Sequence, residues 1–198
     1  MINVEKISLE TPFKIFLGFL NKASKKDQKN IDAFMIASYS TSSQEVDSRY
    51  VNLKFVLGED FIFFSNYFSK KAYQFQEHPK VSTALYWPSI NVQIRMKGNI
   101  SKTSRSFNEE YFKTRSLKKN ALAISSSQSS EIDSYEEVKE KYEHVYINED
   151  LKECPQYWGG YKFRPNYFEF WEGKENRINK RSVFRKEKDK WDTAILQP

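Results

Sequence analysis

Short strand signals follow one another in close order through the first half of the chain and return in its last third, with helix signals between them. Residues 33–39 are apolar and uncharged. Residues 49–57 alternate in polarity and stop at Gly58-Glu59-Asp60, a turn that lets residues 61–65 complete a hairpin. Residues 81–87 and 91–101 are two further strands parted by a turn at Pro88. Residues 160–163, 167–171, 178–185 and 191–196 supply four more. No internal repeat and no Pro- or Gly-rich linker divides the 198 residues. The pattern predicts one domain over residues 1–198, mainly β, an antiparallel barrel with appended helices.

Four helices are expected. Residues 10–24 carry Thr11 as a cap, Pro12 at the first helical position, and Phe13, Phe16, Leu17 and Leu20 at helical spacing. A short helix runs from Ser69 to about Gln76, before Pro79. Ser106-Phe107-Asn108-Glu109 and Ser134-Tyr135-Glu136-Glu137 are capping-box patterns that open helices ending near Arg115 and Tyr146. The serine-rich run at 125–130 reads by itself as a connecting loop.

Several function classes drop out. Cys154 is the one cysteine and His78 and His144 the only histidines, so no disulfide and no cysteine- or histidine-built metal site is expected. Residues 1–6 lack the apolar core of a signal peptide, and no run approaches the roughly 18 apolar residues of a membrane span. A reducing, cytoplasmic setting away from membranes is the expectation. The net charge of +6 is scattered along the chain, which argues against a nucleic-acid partner. With 6 glycines there is neither GxGxxG nor a Walker A loop, and Ser, Cys and His form no nucleophile motif.

Four groups of residues carry possible chemistry. Ser69, Lys70 and Lys71 stand at a helix start, where exposed N–H groups and the positive dipole end suit a phosphate and disfavour lysine. The plain alternative is two lysines extended into water. On a strand, Arg49, Val51 and Leu53 share one face and Tyr50, Asn52 and Lys54 the other. That arrangement is either an ordinary amphipathic strand or one whose ends reach anionic groups of a ligand. Tyr111 and Arg115, four apart on a helix, can clamp a phosphate or simply pack a surface. Trp171, followed by a turn at Gly173 and by Arg177 and Arg181, can line a flat aromatic ligand or form a solvated hairpin.

The order and spacing of these pieces resemble the pyridoxamine 5'-phosphate oxidase family, from the helix near Pro12 to Pro198. The telling stretches are Arg49-Tyr50-Val51-Asn52-Leu53-Lys54, Phe64-Ser65-Asn66-Tyr67-Phe68-Ser69-Lys70-Lys71-Ala72, Gln128-Ser129-Ser130, Trp158-Gly159-Gly160-Tyr161 and Glu169-Phe170-Trp171-Glu172-Gly173. The resemblance implies a split β-barrel of Greek-key type, forming a homodimer through a C-terminal region at about 156–198, with FMN at the subunit interface. It implies FMN contacts from Arg49, Tyr50, Val51, Asn52 and Lys54, from Phe64 and Ser65, and from Ser69, Lys70 and Lys71 around the phosphate. Gln93, Gln128, Ser129, Trp171 and Arg181 complete that set. For a small phosphorylated pyridine substrate it implies Lys54, Tyr111, Arg115 and Lys119 at the phosphate, with Arg177 as the catalytic group over the ring and Asn179 beside it. The implied chemistry is a two-electron oxidation at the substrate's C4' carbon, with O2 reduced to hydrogen peroxide. The redox step belongs to the flavin, which accounts for the lack of an acid–base pair in the sequence.

Departures from the family pattern gather on the substrate side. The family's Arg-Leu-His-Asp-Arg run is Arg177-Ile178-Asn179-Lys180-Arg181 here. Asn179 can donate a hydrogen bond but cannot titrate near neutral pH as histidine does. Lys119 stands where the family usually has serine. On the cofactor side, Lys70 stands where the family usually has arginine, which keeps the charge and loses the bidentate fork. The basic segment that precedes the first helix in many members has no counterpart in this sequence. Pyridoxamine or pyridoxine 5'-phosphate oxidation is therefore the first expectation. A phenazine-pathway-like FMN oxidoreductase on another substrate is the alternative, and a non-catalytic flavin-binding protein the third.

Overall fold

The computed structural model describes residues 2–198, so the first position of the segment 1–6 lies outside the described residues. A short strand, β1 (Asn3–Glu5), precedes α1 (Thr11–Lys25). β2 (Ala33–Tyr39) and β3 (Val46–Asn52) form a hairpin in which Ala33 faces Asn52 and Tyr39 faces Val46. β4 (Phe55–Leu57) and β5 (Asp60–Asn66) form another, turning at Gly58, whose φ of +59° suits a residue without Cβ. α2 (Lys70–Glu77) leads into β6 (Lys80–Trp87) and β7 (Val92–Lys102). The helices α3 (Arg105–Thr114), α4 (Leu117–Ser125) and α5 (Tyr135–Asn148) then precede β8 (Trp158–Glu172), β9 (Lys180–Glu187) and β10 (Lys190–Leu196).

Among the described residues ten strands make one sheet in the order β1-β4-β5-β8-β7-β6-β2-β3, with β9 paired to β8 and β10 to β9. β3 stands at one end of that order and β4 next to the other end, yet only Leu53 and Lys54 separate them. The Leu53 N–H donates to the Asp32 carbonyl at 2.9 Å, and the Lys54 N–H donates to the Ile62 carbonyl at 2.8 Å. Adjacent residues thus bond to opposite ends of the sheet, which must curl to let them. The result is the expected mainly β barrel, half open, antiparallel except where β1 runs parallel to β4.

The curl corrects one expectation. Residues 49–57 do not form a single strand, because a straight strand cannot pair with both β2 and β5. The chain turns its buried Leu53 into the core and changes partners. Residues 160–163 and 167–171 are, conversely, one strand, β8, rather than two. Pro165 lies within it and has no N–H to donate. The ladder accommodates it at a register shift between Lys97 and Gly98, where Gly98 faces Pro165. A Cβ on Gly98 would lie 2.1 Å from the Arg164 carbonyl oxygen, so the close approach needs glycine. Other boundaries move: Ile178 belongs to a loop, since β9 begins at Lys180. Thr11 is the first helical residue of α1, after Glu10 as N-cap. α3 is capped by Ser104, whose Oγ accepts from the Phe107 N–H at 3.3 Å, and not by Ser106. Ser134 caps α5 through the Glu137 N–H at 3.1 Å, as its pattern predicts.

The aromatic content builds the core. Phe13 and Phe16 of α1 are fully buried against Phe61 and Phe168 of the sheet, with Phe16–Phe61 edge-to-face at 4.9 Å and Phe13–Phe168 at 5.2 Å. Burying each such ring contributes roughly 1.5–3 kcal/mol. A second cluster, Phe112, Cys154 and Trp158, anchors α3 to the start of β8 beside Phe64 and Tyr111. Among the described residues, no helix is long and apolar enough to cross a membrane.

Candidate functional site

The first turn of α2 separates the two neighbouring lysines. Successive helical residues point about 100° apart. Lys70 faces outward, and its Nζ lies 3.0 Å from Asp47 Oδ2. Lys71 faces inward and is 8% exposed. Its Nζ donates to Ser65 Oγ, Ser69 Oγ and Gln128 Oε1, each at 3.0 Å. Among the described residues no carboxylate forms an ion pair with it. Burial, with the neighbouring Arg49 guanidinium adding to it, pushes the Lys71 ammonium down to about 8. Three neutral oxygens answer its hydrogen-bonding needs and leave its charge unanswered.

Arg49 lies on the inner face of β3, as the strand alternation predicts. It donates to Ser38 Oγ at 2.6 Å and to Gln74 Oε1 at 3.0 Å. Its nearest carboxylate is Asp47, at 3.8 Å. Asp47 also accepts from Gln74 Nε2 at 2.6 Å, and the Lys70 hydrogen bond holds its carboxyl below the usual range. Sequence reasoning missed this carboxylate. Its signal is plain in hindsight: Asp47 is two residues from Arg49 and so shares its strand face. Ser69 is the N-cap of α2, but its buried hydroxyl donates to the Asn66 carbonyl at 2.8 Å and accepts from Lys71.

Beside Lys71 opens a cleft of about 250 Å³. It is lined by Tyr50, Val51, Asn52 and Lys54 from β3 and the corner after it, by Phe64, Ser65 and Lys71, and by Tyr111, Arg115 and Gln128. An adjoining recess of about 220 Å³ takes in Arg115 and Lys119. Trp158 lines both, another residue that the motif-by-motif reading did not single out for chemistry. Its ring is nearly parallel to Phe64 at 5.0 Å, and Phe64 stacks on Tyr111 at 4.1 Å. The Arg115 guanidinium lies 4.3 Å from the Trp158 ring centroid and donates to the Lys119 carbonyl at 2.9 Å. Burial lowers its pKa, and among the described residues no carboxylate forms an ion pair with it. Lys54 is better satisfied, at 2.8 Å from Asp32. Burial raises the Asp32 carboxyl, but the hydrogen bond and charge of Lys54 more than reverse this and leave it below its ordinary value.

The remaining sequence-predicted residues stand apart from this cleft. Gln93 faces Trp171 across β7 and β8, and Trp171 faces Arg181 across β8 and β9, a row of three that lines neither recess. Arg177 sits in the exposed loop between β8 and β9 with φ of +60°, and Asn179 Oδ1 accepts from the Lys174 N–H at 3.0 Å within that loop. Ser129, with φ of +74°, lines a different groove with Leu122 and Val138, while its neighbour Gln128 reaches Ser65 and Lys71.

Cations without carboxylate partners, gathered beside an aromatic wall, suit a phosphorylated ligand that also carries a flat ring. Comparison with known proteins meets this arrangement from another side. Residues 20–149 match the family model described as pyridoxamine 5'-phosphate oxidase. Residues 158–198 match the pyridoxine 5'-phosphate oxidase C-terminal dimerisation region. A pyridoxine/pyridoxamine 5'-phosphate oxidase of Coxiella burnetii is 31% identical over 192 residues, covering 96% of this chain and 97% of the relative. Its namesake in Christiangramia forsetii is 34% identical over 194 residues, covering 96% and 89%. Among solved structures, PhzG from Burkholderia lata, in complex with tetrahydrophenazine-1-carboxylic acid, matches with a TM-score of 0.87 at 22% identity over 98% of this chain and 100% of that one. A pyridoxamine 5'-phosphate oxidase-related, FMN-binding protein from Nostoc punctiforme matches at 0.79 and 13% identity, over 96% and 99%. At such identities these two establish the shared fold. The two family models and the near full-length relatives carry more, and on them the chain belongs to the pyridoxamine 5'-phosphate oxidase family.

Proposed function

We propose that this protein is an FMN-dependent oxidase that converts pyridoxamine 5'-phosphate or pyridoxine 5'-phosphate to pyridoxal 5'-phosphate, with O2 reduced to hydrogen peroxide. One observation carries the reading: Lys71, buried and answered only by neutral oxygens, lines a cleft together with Tyr50, Phe64 and Arg115. A phosphate dianion supplies the charge that this site lacks. Lys71, Ser65, Ser69 and Gln128 hold the cofactor phosphate, with Arg49 and Lys70 behind them and Ser129 on the same loop as Gln128. Val51, Asn52 and Lys54 line its path, and Phe64 contributes an apolar face. FMN, when bound, supplies the two-electron chemistry. Gln93, Trp171 and Arg181 stand apart from the cleft within one chain; in this reading a second copy supplies them and the cofactor sits at the interface of a homodimer. The match of residues 158–198 to a dimerisation region supports that arrangement.

On the substrate side, Lys54, Tyr111, Arg115 and Lys119 take the phosphate. Arg115 lies over the Trp158 ring at 4.3 Å and is tied to the Lys119 carbonyl, so its position is restricted before the substrate arrives, which lowers the entropic cost of binding. Arg177 acts over the pyridine ring, with Asn179 beside it.

A second reading, an FMN oxidoreductase for another substrate, has its own observation. Lys180 lies 3.1 Å from Glu172, and Asn179 braces the Lys174 N–H. Both departures from the family run are thus engaged by the β8–β9 connection, Lys180 at the last strand pair and Asn179 in the loop. The deciding experiment reconstitutes the purified protein with FMN and assays peroxide and pyridoxal 5'-phosphate from each phosphorylated substrate. Flavin absorbance near ~450 nm without peroxide from either substrate rejects the substrate assignment and keeps the cofactor. Failure to take up FMN rejects both.

A further inference from the structure

Four side-chain donors, from three residues, converge on one buried carboxylate outside the cleft. Glu169 of β8 is 2% exposed. Its Oε1 accepts from Arg181 Nε at 3.0 Å and from Arg181 Nη2 at 2.7 Å. Its Oε2 accepts from Arg95 Nη1 and from the Tyr167 hydroxyl, both at 2.9 Å. The last nitrogen of the Arg181 fork, Nη1, donates to the Gln197 carbonyl at 3.0 Å. Strand register makes the arrangement specific. Glu169 faces Arg95 on β7 and Val183 on β9, and Arg181, two residues from Val183, reaches it diagonally across the same face. Burial raises the Glu169 carboxyl, but Arg181, Tyr167 and Arg95 more than reverse this, so it stays below its usual value and ionised at neutral pH.

An arginine side chain left free samples many rotamers and presents its donors in many directions. Here the Nε edge of the guanidinium is fixed by Glu169 and its far corner by the chain's C-terminal segment. The plane of Arg181 is set before any ligand arrives. We propose that Glu169 is a positioning residue for the cofactor, locking Arg181 in the orientation in which the Gln93–Trp171–Arg181 row meets FMN. The inference rests on the reading of Arg181 as an FMN contact.

The test is FMN affinity of the cofactor-free protein, read by flavin fluorescence, beside its melting temperature. Glu169→Gln is expected to weaken FMN by about tenfold, the scale on which partners of a binding group act. Arg181→Ala is expected to weaken it at least as much, and the double variant no further than Arg181→Ala alone, because Glu169 acts only through Arg181. Tyr167→Phe and Arg95→Met remove the other partners of Glu169 and are expected to leave FMN affinity unchanged. Should Glu169→Gln fail to fold, Glu169→Asp keeps the charge and draws the carboxylate back by one methylene, and the same loss is expected from it. Unchanged affinity in the folded Glu169 variant, or additive losses in the double variant, overturns the positioning role while Arg181 stays a contact. Unchanged affinity in Arg181→Ala removes the contact itself, and the proposal with it.

Discussion

At the scale of single residues, the site turns on how Lys71 is held. A cation buried among neutral oxygens favours its uncharged form, which is why its pKa stands near 8 instead of 10.5. A bound phosphate favours the charged form and raises that value. FMN affinity should therefore be full below about pH 8 and fall as pH rises from there toward the pKa of the bound state. Titrations of wild type between roughly pH 7 and 9.5 should show this fall, and Lys71→Met should bind weakly with a flat profile. A wild-type profile as flat as the variant's would remove Lys71 from the phosphate site. In the cofactor-free protein the sign is opposite: the penalty for burying the ammonium is complete below about pH 8 and relieved as pH rises toward 10.5. The other cations separate by role. Arg115→Ala should raise KM for the phosphorylated substrate by at least about tenfold with FMN affinity kept, the loss of one charge-assisted contact. Arg177→Ala should lower kcat more than it lowers FMN affinity. Equal losses in turnover and cofactor binding would count against the place assigned to Arg177. The charge-bearing positions were legible in the sequence because lysine at a helix start conflicts with the local dipole. The partition of Lys70 and Lys71 was not, since it depends on Asp47 lying across from α2, a contact between elements.

At the scale of elements, strand existence was readable from alternation, and the breaks were not. Residues 49–57 read as one strand, with no turn residue before Gly58, yet the chain changes partners at Leu53, because closure of the sheet is a property of all its strands together. Pro165 misleads in the other direction. Its missing N–H suggests a strand end, and the bulge opposite lets β8 continue through it. That bulge places Gly98 against Arg164 and Pro165, where an added methyl has no room. Gly98→Ala should destabilise the protein by about 1–3 kcal/mol, the usual range for an overpacked site. Urea unfolding midpoints of the two proteins check it, and an unchanged midpoint would show that the bulge can relax. The serine-rich loop illustrates what no local pattern conveys: Gln128 matters through Ser65 and Lys71, far from it in sequence.

At the scale of the whole molecule, the two groups of residues proposed to hold the cofactor stand apart in one chain, and the proposed homodimer brings them together. Dimerisation and cofactor binding are then linked, since each stabilises the state the other needs. Diluting the holoprotein should release FMN in step with dissociation, read by flavin fluorescence beside sedimentation velocity. Release that is independent of protein concentration would place the complete site within one chain. Which parts of a chain touch a second copy is a question of surfaces, and composition and periodicity report mainly on interiors.

The corner at Leu53–Lys54 also bears on how the chain finds this fold. The hairpins β2–β3 and β4–β5 are contiguous in sequence and share that corner, so both can form with short loops to close. The seam between β5 and β8 is different: it joins Phe61 to Phe163, roughly a hundred residues apart in the chain. Contacts of such long range slow folding, because much of the chain must be ordered before they form. The curled half of the sheet from β2 to β5 can thus assemble early as a local unit, and the core behind Phe61 and Phe163 waits for β8 to arrive after three helices have been made.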